Sequence, residues 1–191
     1  MSFLVRALPT RTLAFARTTP RVVPFAMAAR SLQTAAQAKA GDKIPSIPVK
    51  VDAMDKRVDF SSLPGKNIIV TVPGAFTPTC SSQVPGFIAD VDKFKAKGVD
   101  GIYVVSVNDL FVVNAWKKAM HAPESMKFVA DDQCELTHAL GTVLDVTAGL
   151  GGLRCKRTVI VIQDGKIVDI VVEGDSSKSI DTTADNILAK L

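Results

Sequence analysis

The chain has 191 residues, of which 47% are hydrophobic and 22% are charged, and this balance predicts a globular domain with a substantial core. Its three cysteines, Cys80, Cys134 and Cys155, are too few for a disulfide scaffold, and their odd number also argues against one. The net charge is +4, and no apolar run approaches the length of a membrane span.

The first forty residues differ in composition from the rest of the chain. Five arginines lie there among Ser, Thr, Ala and Leu, and no Asp or Glu precedes Asp42. This composition is typical of a mitochondrial targeting peptide, which we expect over residues 1–40 with cleavage between about Arg30 and Ala40. The mitochondrial matrix is then the expected location, and the cytoplasm is the alternative. A disordered basic tail or an arm that binds nucleic acid would have a similar composition.

The basic charge of the chain belongs to this first segment. Residues 1–30 hold five arginines, and without them 18 basic residues stand against 19 acidic ones, a net charge of about −1. The domain that we expect over residues 41–191 therefore gives no electrostatic reason to expect a nucleic acid as its partner. We expect no membrane partner either, because no apolar run is long enough to span one.

The first elements of this domain surround one cysteine. Residues 43–60 predict one or two short strands interrupted by Pro45 and Pro48. The β-branched run at residues 67–72 predicts a core strand covered on both faces. An amphipathic run from Cys80 to Lys97 predicts a helix, which Pro85 should kink because a proline removes one helical hydrogen bond.

The remaining elements alternate between strand and helix and then end in a hairpin. Together they predict an α/β domain with a mixed central sheet and helices on both faces. In chain order we predict a strand at 101–107, a helix capped by Asn108 and Asp109, a strand at 127–130, a helix at 131–139, a strand at 158–162, a turn at Asp164-Gly165, a strand at 166–172 and a last helix from Asp181 or Thr182.

The turn before the first helix places a thiol where an anion is favoured. Thr77 is a good N-cap and Pro78 suits the first helical position, so that Cys80 becomes the third helical residue. Free N–H groups and the positive end of the helix favour a thiolate there. We expect the Thr77 hydroxyl to orient the sulfur or to form a hydrogen bond with it. The alternative is that Cys80 is a small buried side chain without chemistry.

The residues around Cys80 exclude several thiolate reactions. A dithiol within the helix is absent, because the next three residues are Ser, Ser and Gln. A hydrolase needs a histidine base, and nothing in the sequence places His121 or His138 near Cys80. Cys134 and His138, four residues apart, supply only two ligands for a metal. Cleavage of the O–O bond of a peroxide needs no base, and it converts the thiolate into a sulfenic acid.

The segment from Pro73 to Cys80, P-G-A-F-T-P-T-C, resembles the active-site motif of the peroxiredoxins, and in particular of the peroxiredoxin 5 or type II branch. The resemblance covers residues 40–191. It implies a thioredoxin-like fold and a thiol peroxidase that reduces hydrogen peroxide and small organic hydroperoxides without a metal, haem or flavin. It also implies a homodimer, formed through the loop around Phe76 and the start of the helix at 108–116. Further matching segments are V-P-G-F at 84–87, S-V-N-D at 106–109, N-A-W at 114–116, Lys156-Arg157 and Q-D-G at 163–165.

The resemblance also assigns residues to the site. Pro73 and Thr77 belong to the motif that ends in Cys80, the peroxide-reactive cysteine. Arg157 is expected to extend over the turn and donate two hydrogen bonds to the reacting oxygens. Sequence alone would favour a surface position for Arg157, and Arg154 is a weaker candidate outside the direct contacts. The assignment requires a sulfur that is an anion at neutral pH and that solvent can reach.

The reduction of the sulfenic acid follows neither of two patterns known in the family, because the chain lacks the resolving cysteines of two groups of relatives. Animal members carry one in the C-terminal region and many plant members carry one in the strand before S-V-N-D, but residues 173–191 and 103–105 contain none. We favour a one-cysteine enzyme whose Cys80 is reduced by glutaredoxin with glutathione, or by thioredoxin.

The sequence also allows other roles for the three cysteines. Cys134 or Cys155 could resolve the sulfenic acid, and we expect the charges of the neighbouring Arg154 and Lys156 to favour a thiolate at Cys155. Each could equally be a structural thiol. The protein could also be a redox relay that oxidises partner proteins, or an interaction module with an inert Cys80.

Overall fold

A computed structural model describes residues 35–191, which belong to one compact unit. The targeting segment predicted over residues 1–40 lies outside the described residues, apart from residues 35–40. Within that short stretch the Ala38 amide donates to the Leu140 carbonyl at 3.0 Å, and the backbone of Ala35 and Ala36 lies against Gly141. None of the described helices is both long enough and apolar enough to span a membrane.

The described chain alternates between strands and helices in the predicted order, with one additional hairpin. The strands are β1 (Val49–Val51), β2 (Ala53–Val58), β3 (Lys66–Val72), β4 (Val99–Ser106), β5 (Met126–Ala130), β6 (Val143–Asp145), β7 (Leu153–Cys155), β8 (Thr158–Gln163) and β9 (Lys166–Val172). The helices are α1 (Pro78–Ala89), α2 (Val91–Ala96), α3 (Leu110–Ala119), α4 (Glu135–Ala139), α5 (Thr147–Leu150) and α6 (Ala184–Lys190), with a 3-10 turn at Phe60–Ser62.

Seven strands form one mixed sheet in the order β2-β1-β5-β4-β3-β8-β9. The strands β3, β4 and β5 are parallel, whereas β8 and β9 join as an antiparallel hairpin beside β3. Asp164 and Gly165 make the turn of that hairpin and both have positive φ angles, 49° and 73°, as the sequence predicts for an Asp-Gly turn. The predicted mixed sheet is therefore confirmed.

Two apolar clusters cover the two faces of this sheet, because alternate residues of each strand point to opposite sides. One cluster joins Ile68, Val70 and Val72 of β3 to α1, α2, α3 and α6. The other joins Ile69 of β3 to α4 and the 3-10 turn. Helices thus lie on both faces, and the domain has a thioredoxin-like fold.

The predicted first helix is divided into two. α1 continues through Pro85, so the interruption does not lie at the proline. It lies at Asp90, whose amide donates to the Gly86 carbonyl while its own carbonyl accepts from Phe94. The division lets Phe87 and Phe94 stack in the core with ring centroids 5.6 Å apart, a contact worth about 1 kcal/mol beyond the burial of the two rings.

Two helices begin later than predicted because side chains occupy the preceding turns. Asp131 was expected to open a helix, but its carboxylate accepts hydrogen bonds from Leu136 and Thr137 and thereby holds the start of α4 at Glu135. The last helix begins at Ala184, and Thr183 caps it. The small β6–β7 hairpin and α5 were not predicted, since elements of three or four residues carry no readable periodicity.

Candidate active site

The predicted site residues meet at one edge of the sheet. The parallel strands β3, β4 and β5 all end there, which is where ligands bind in open α/β sheets. Cys80 lies in the first turn of α1, after β3. Arg157 directly precedes β8, which runs antiparallel to β3 with Thr158 opposite Thr71, so that Arg157 is at the same edge. Asn108 follows β4.

The loop between β3 and α1, residues 73–77, is held in place by contacts with neighbouring side chains. Asn108 was expected to cap α3, but its Oδ1 accepts from the Ala75 amide at 3.0 Å, and Asp109 alone caps the helix. Gly74 is closely surrounded, since a Cβ there would lie 3.1 Å from Thr77 Cγ2. Pro73, at the start of the loop, is buried. The loop therefore presents the start of α1 in one fixed direction.

Thr77 occupies the N-cap position as predicted, but its hydroxyl has a different partner. It donates to the Gly74 carbonyl at 2.9 Å and makes no side-chain cap. The hydrogen bond to the Cys80 sulfur that the sequence suggested is not formed. Thr77 therefore fixes the loop, and it leaves the amides of Thr79 and Cys80 for another acceptor.

Arg157 is in contact with the cysteine. Its Nη2 lies 3.4 Å from Cys80 Sγ, and its Nη1 donates to Gln83 Oε1 at 2.6 Å. Its Nε and Nη2 also donate to the Ser176 carbonyl. The residue is 1% exposed, so the alternative of a surface arginine is wrong.

No carboxylate forms an ion pair with this arginine among residues 35–191. A buried cation without a counter-ion is unfavourable by several kcal/mol. Among the described residues, Cys80 Sγ is the one hydrogen-bond partner of Arg157 that can carry a negative charge. The arrangement therefore places a positive charge in direct contact with that sulfur.

Cys80 itself is 0% exposed, which differs from the open sulfur that the sequence assignment required. The residue belongs to the core cluster that includes Val72 and Val84, and Arg157 lies against it. In this arrangement a substrate reaches the sulfur only when the surrounding side chains or the first turn of α1 move.

The other two cysteines are buried thiols. Cys155 is 0% exposed and donates to the Val72 carbonyl at 2.9 Å, and burial raises its pKa to about 12. The expected thiolate at Cys155 is therefore wrong, because desolvation outweighs the charges of its sequence neighbours. Burial and the nearby Asp131 carboxylate raise the pKa of Cys134 to about 11.

Several residues of the site were missed by the sequence reasoning. Gln83 is 6% exposed, and its Nε2 donates to the Thr182 carbonyl and hydroxyl at 2.8 Å while its Oε1 accepts from Arg157. The sequence did contain a signal for Gln83, since it is a polar residue directly before the apolar positions Val84 and Phe87 of α1. Ser176 left no signal in the sequence, because its contacts are with a residue 19 positions away: its carbonyl accepts from the Arg157 guanidinium, and its Oγ accepts from the Arg157 amide at 3.1 Å.

Arg154 points elsewhere. Its guanidinium donates to the carbonyls of Val107 and Leu150 and has no bond to Cys80. Across residues 35–191, no group of three or more His, Cys, Asp or Glu side chains could hold a metal ion.

Comparison with known proteins identifies the family of the chain. The family model described as Redoxin matches residues 39–188. Peroxisomal membrane associated protein 20 of Schizosaccharomyces pombe is 44% identical over 153 residues, 79% of this chain and 97% of the relative. Peroxiredoxin-2B of Arabidopsis thaliana is 40% identical over 157 residues, 79% of this chain and 96% of the relative.

Solved structures of peroxiredoxins also superpose on this chain. Reduced Prx3 of Vibrio vulnificus in complex with hydrogen peroxide superposes with a TM-score of 0.75 at 36% identity, covering 81% of this chain and 96% of that one. Peroxiredoxin 5 of Alvinella pompejana has a TM-score of 0.72 at 34% identity, covering 80% and 96%. Given these matches over nearly the whole folded domain, the chain belongs to the peroxiredoxins, in the peroxiredoxin 5 or type II branch, and is a thiol-dependent peroxidase.

Proposed function

We propose that Cys80 is the peroxide-reactive residue and that it reduces hydrogen peroxide and alkyl hydroperoxides. The thiolate attacks one oxygen of the O–O bond, the sulfur is oxidised by two electrons to a sulfenic acid, and the second oxygen leaves as water or an alcohol after protonation. The contact between Arg157 and Cys80 Sγ carries this proposal, since it joins a buried cation to the sulfur at a helix start. The relative from Vibrio vulnificus, solved with hydrogen peroxide, supports the substrate class.

The reaction develops negative charge on both oxygens, so it needs hydrogen-bond donors directed at them. Arg157 can supply two from one planar group. The Cys80 and Thr79 amides, which the Thr77 side chain does not cap, can supply more. Pro73 and Thr77 act indirectly, because they fix the loop that presents these amides.

Substrate access requires a local opening, because Cys80 is fully buried. A peroxide is small and needs a limited movement. A protein reductant must reach the sulfenic acid itself, so we propose that the first turn of α1 moves further in the second half of the cycle.

We propose that an external thiol completes the cycle, with glutaredoxin and glutathione, or thioredoxin, as the source. One thiol condenses with the sulfenic acid and releases water, and a second thiol cleaves the mixed disulfide. Within the chain, attack by Cys134 or Cys155 requires a thiolate. With pKa values of about 11 and about 12, these groups are ionised to about one part in 10⁴ or less at pH 7.

Intact-mass spectrometry after one equivalent of peroxide tests this route. We expect the reduced protein to gain about 16 Da, the mass of one oxygen atom, with no loss of hydrogen. Cys134→Ser and Cys155→Ala should behave in the same way. A disulfide in the wild type that either variant abolishes would make that residue the resolving cysteine and would contradict the one-cysteine route.

We also propose a homodimer formed through the loop that contains Phe76 and the first turn of α3. Phe76 is 54% exposed and Phe111 is 71% exposed, and large aromatic residues at a surface are typical of an interface. Phe76 also has a positive φ of 62°, which is unfavourable for a bulky side chain.

Phe111→Asp should convert this dimer into a monomer, because a charge would be buried at the centre of the contact. Light scattering coupled to gel filtration measures the mass. Val168→Asp is the matched control, since Val168 is also an exposed apolar residue but lies on the edge strand β9. A wild-type monomer, or a Phe111→Asp dimer, would contradict this interface.

For location, we propose that the arginine-containing, acid-free segment at 1–40 directs the protein to mitochondria. The name of the Schizosaccharomyces pombe relative assigns that protein to the peroxisomal membrane.

A further inference from the structure

Glu173 is a buried carboxylate beside the catalytic arginine. It directly follows β9 and is 5% exposed. Its amide donates to the Arg157 carbonyl at 3.0 Å, so the two residues face each other at the open end of the β8–β9 hairpin. Their side chains do not form an ion pair. Both side chains instead form hydrogen bonds with the segment that connects β9 to α6, residues 174–182, which we name the clamp loop.

The Glu173 carboxylate closes the base of the clamp loop. A single oxygen, Oε1, accepts from the Ile180 amide at 2.7 Å, the Thr182 amide at 2.8 Å and the Thr182 hydroxyl at 2.9 Å. Burial acts to raise the pKa of Glu173, but these amides and the hydroxyl outweigh it, so that the pKa lies below its ordinary value. The carboxylate is therefore ionised in the folded protein at neutral pH.

The closed clamp loop contacts the active site at three points. The Ser176 carbonyl accepts from Arg157 at 3.0 and 3.2 Å. Thr182 accepts from Gln83, which in turn accepts from Arg157. The Ser177 carbonyl accepts from the hydroxyl of Thr79, the residue before Cys80.

The charges explain why the loop is held in this form. Two amides of the loop donate to the Glu173 carboxylate, and the Ser176 carbonyl accepts from the Arg157 guanidinium. The peptide dipoles at these points are therefore each directed at a buried charge of opposite sign. Hydrogen bonds with a charged partner are about twice as strong as neutral ones. Removal of either charge would weaken the orientation of the loop.

We propose that Glu173 is a positioning residue of the peroxidase reaction: by closing the clamp loop it holds the Arg157 guanidinium and Gln83 in the geometry that the transition state requires. This inference rests on the proposed role of Cys80 and Arg157. Glu173 touches neither the sulfur nor the peroxide, so its effect on the rate passes through Arg157. Small displacements of such a donor reduce rates by up to about 10²-fold.

The test compares two reactions of the same sulfur. Reaction with hydrogen peroxide uses the Arg157 donors, whereas alkylation by iodoacetamide needs the thiolate but no donor to oxygen. Glu173→Ala should lower the peroxide rate constant by about tenfold or more, and the ratio of the peroxide to the alkylation rate constant by a similar factor. Glu173→Gln keeps an acceptor oxygen at the same place and should restore most of the ratio. Thr182→Val, which removes one hydroxyl of the same network, should lower the ratio by about threefold or more even if Glu173→Ala does not fold.

Asp131→Ala is the matched control. Asp131 is another buried carboxylate that accepts from two amides and a threonine hydroxyl, but it holds α4. The Asp131→Ala substitution should lower the thermal midpoint of unfolding and leave the ratio of the peroxide to the alkylation rate constant unchanged. An unchanged ratio in Glu173→Ala and in Thr182→Val, with rapid peroxide reaction in the wild type, would overturn the role of Glu173 alone. A wild type that is alkylated but does not react with peroxide would overturn the proposed function itself.

Discussion

Cys80→Ser should abolish the peroxidase activity. We expect the rate of peroxide consumption to fall by at least about 10³-fold, because a serine hydroxyl has no anionic form at neutral pH with which to attack the O–O bond. The measurement is thiol-dependent consumption of hydrogen peroxide at saturating reductant. The intact mass of the variant should also stay unchanged after one equivalent of peroxide, since the two remaining thiols are buried and protonated.

The same variant should fold but be less stable than the wild type. The hydroxyl of serine is smaller than the sulfur and reaches less far toward Arg157, so a buried donor loses a well-placed partner, which we expect to lower the free energy of unfolding by about 1–3 kcal/mol. For a domain of this size that corresponds to a decrease of roughly 2–4 °C in the thermal midpoint per kcal/mol.

Cys155→Ala provides the control, since it removes an equally buried thiol that donates to the main-chain carbonyls of Val72 and Val105 and has no bond to Arg157. It should keep the peroxidase activity. Turnover retained in Cys80→Ser, or lost in Cys155→Ala, would remove Cys80 from the role proposed for it.

The parts of the fold that sequence could predict are those with a local physical cause. β3 and β8 are continuous β-branched runs, the Asp164-Gly165 turn needs two positive φ angles, and Pro78 after Thr77 sets the start of α1. Each of these features depends on neighbours in the chain. The placement of Cys80 at a helix start followed directly from them.

The rest of the site depends on contacts between distant residues. Gln83 meets Thr182 across 99 positions, and Arg157 meets Cys80 across 77, so no local pattern reveals either contact. The charges next to Cys155 in the sequence suggested a thiolate, but the end of β3 buries the sulfur and reverses that inference. Likewise, the sequence predicted one helix from Cys80 to Lys97, whereas the structure has two helices that meet at Asp90, where Phe87 and Phe94 pack together in the core.

Arg157→Ala should slow the oxidation of Cys80 by hydrogen peroxide by about 10²-fold, the usual effect of losing a donor to developing negative charge. The variant also loses the cation beside the sulfur, so the comparison is made at a pH high enough that the thiolate is fully formed in both proteins. Rapid-mixing fluorescence can follow the reaction, because the chain has a single tryptophan, Trp116, whose ring centroid lies 6.5 Å from that of Phe76 in the active-site loop.

Arg157→Lys separates charge from geometry. A lysine retains the positive charge but not the planar group that bonds at once to Cys80, Gln83 and Ser176, so we expect a loss of about tenfold or more. Arg57→Ala is the control, since Arg57 is an exposed arginine whose guanidinium donates to the carbonyls of Met54 and Lys56 and has no contact with Cys80. A lysine variant as fast as the wild type would mean that charge alone is sufficient, and an alanine variant as fast as the wild type would leave Arg157 with a structural role only. The expected order, wild type fastest and alanine slowest, requires both the charge and the directed donors.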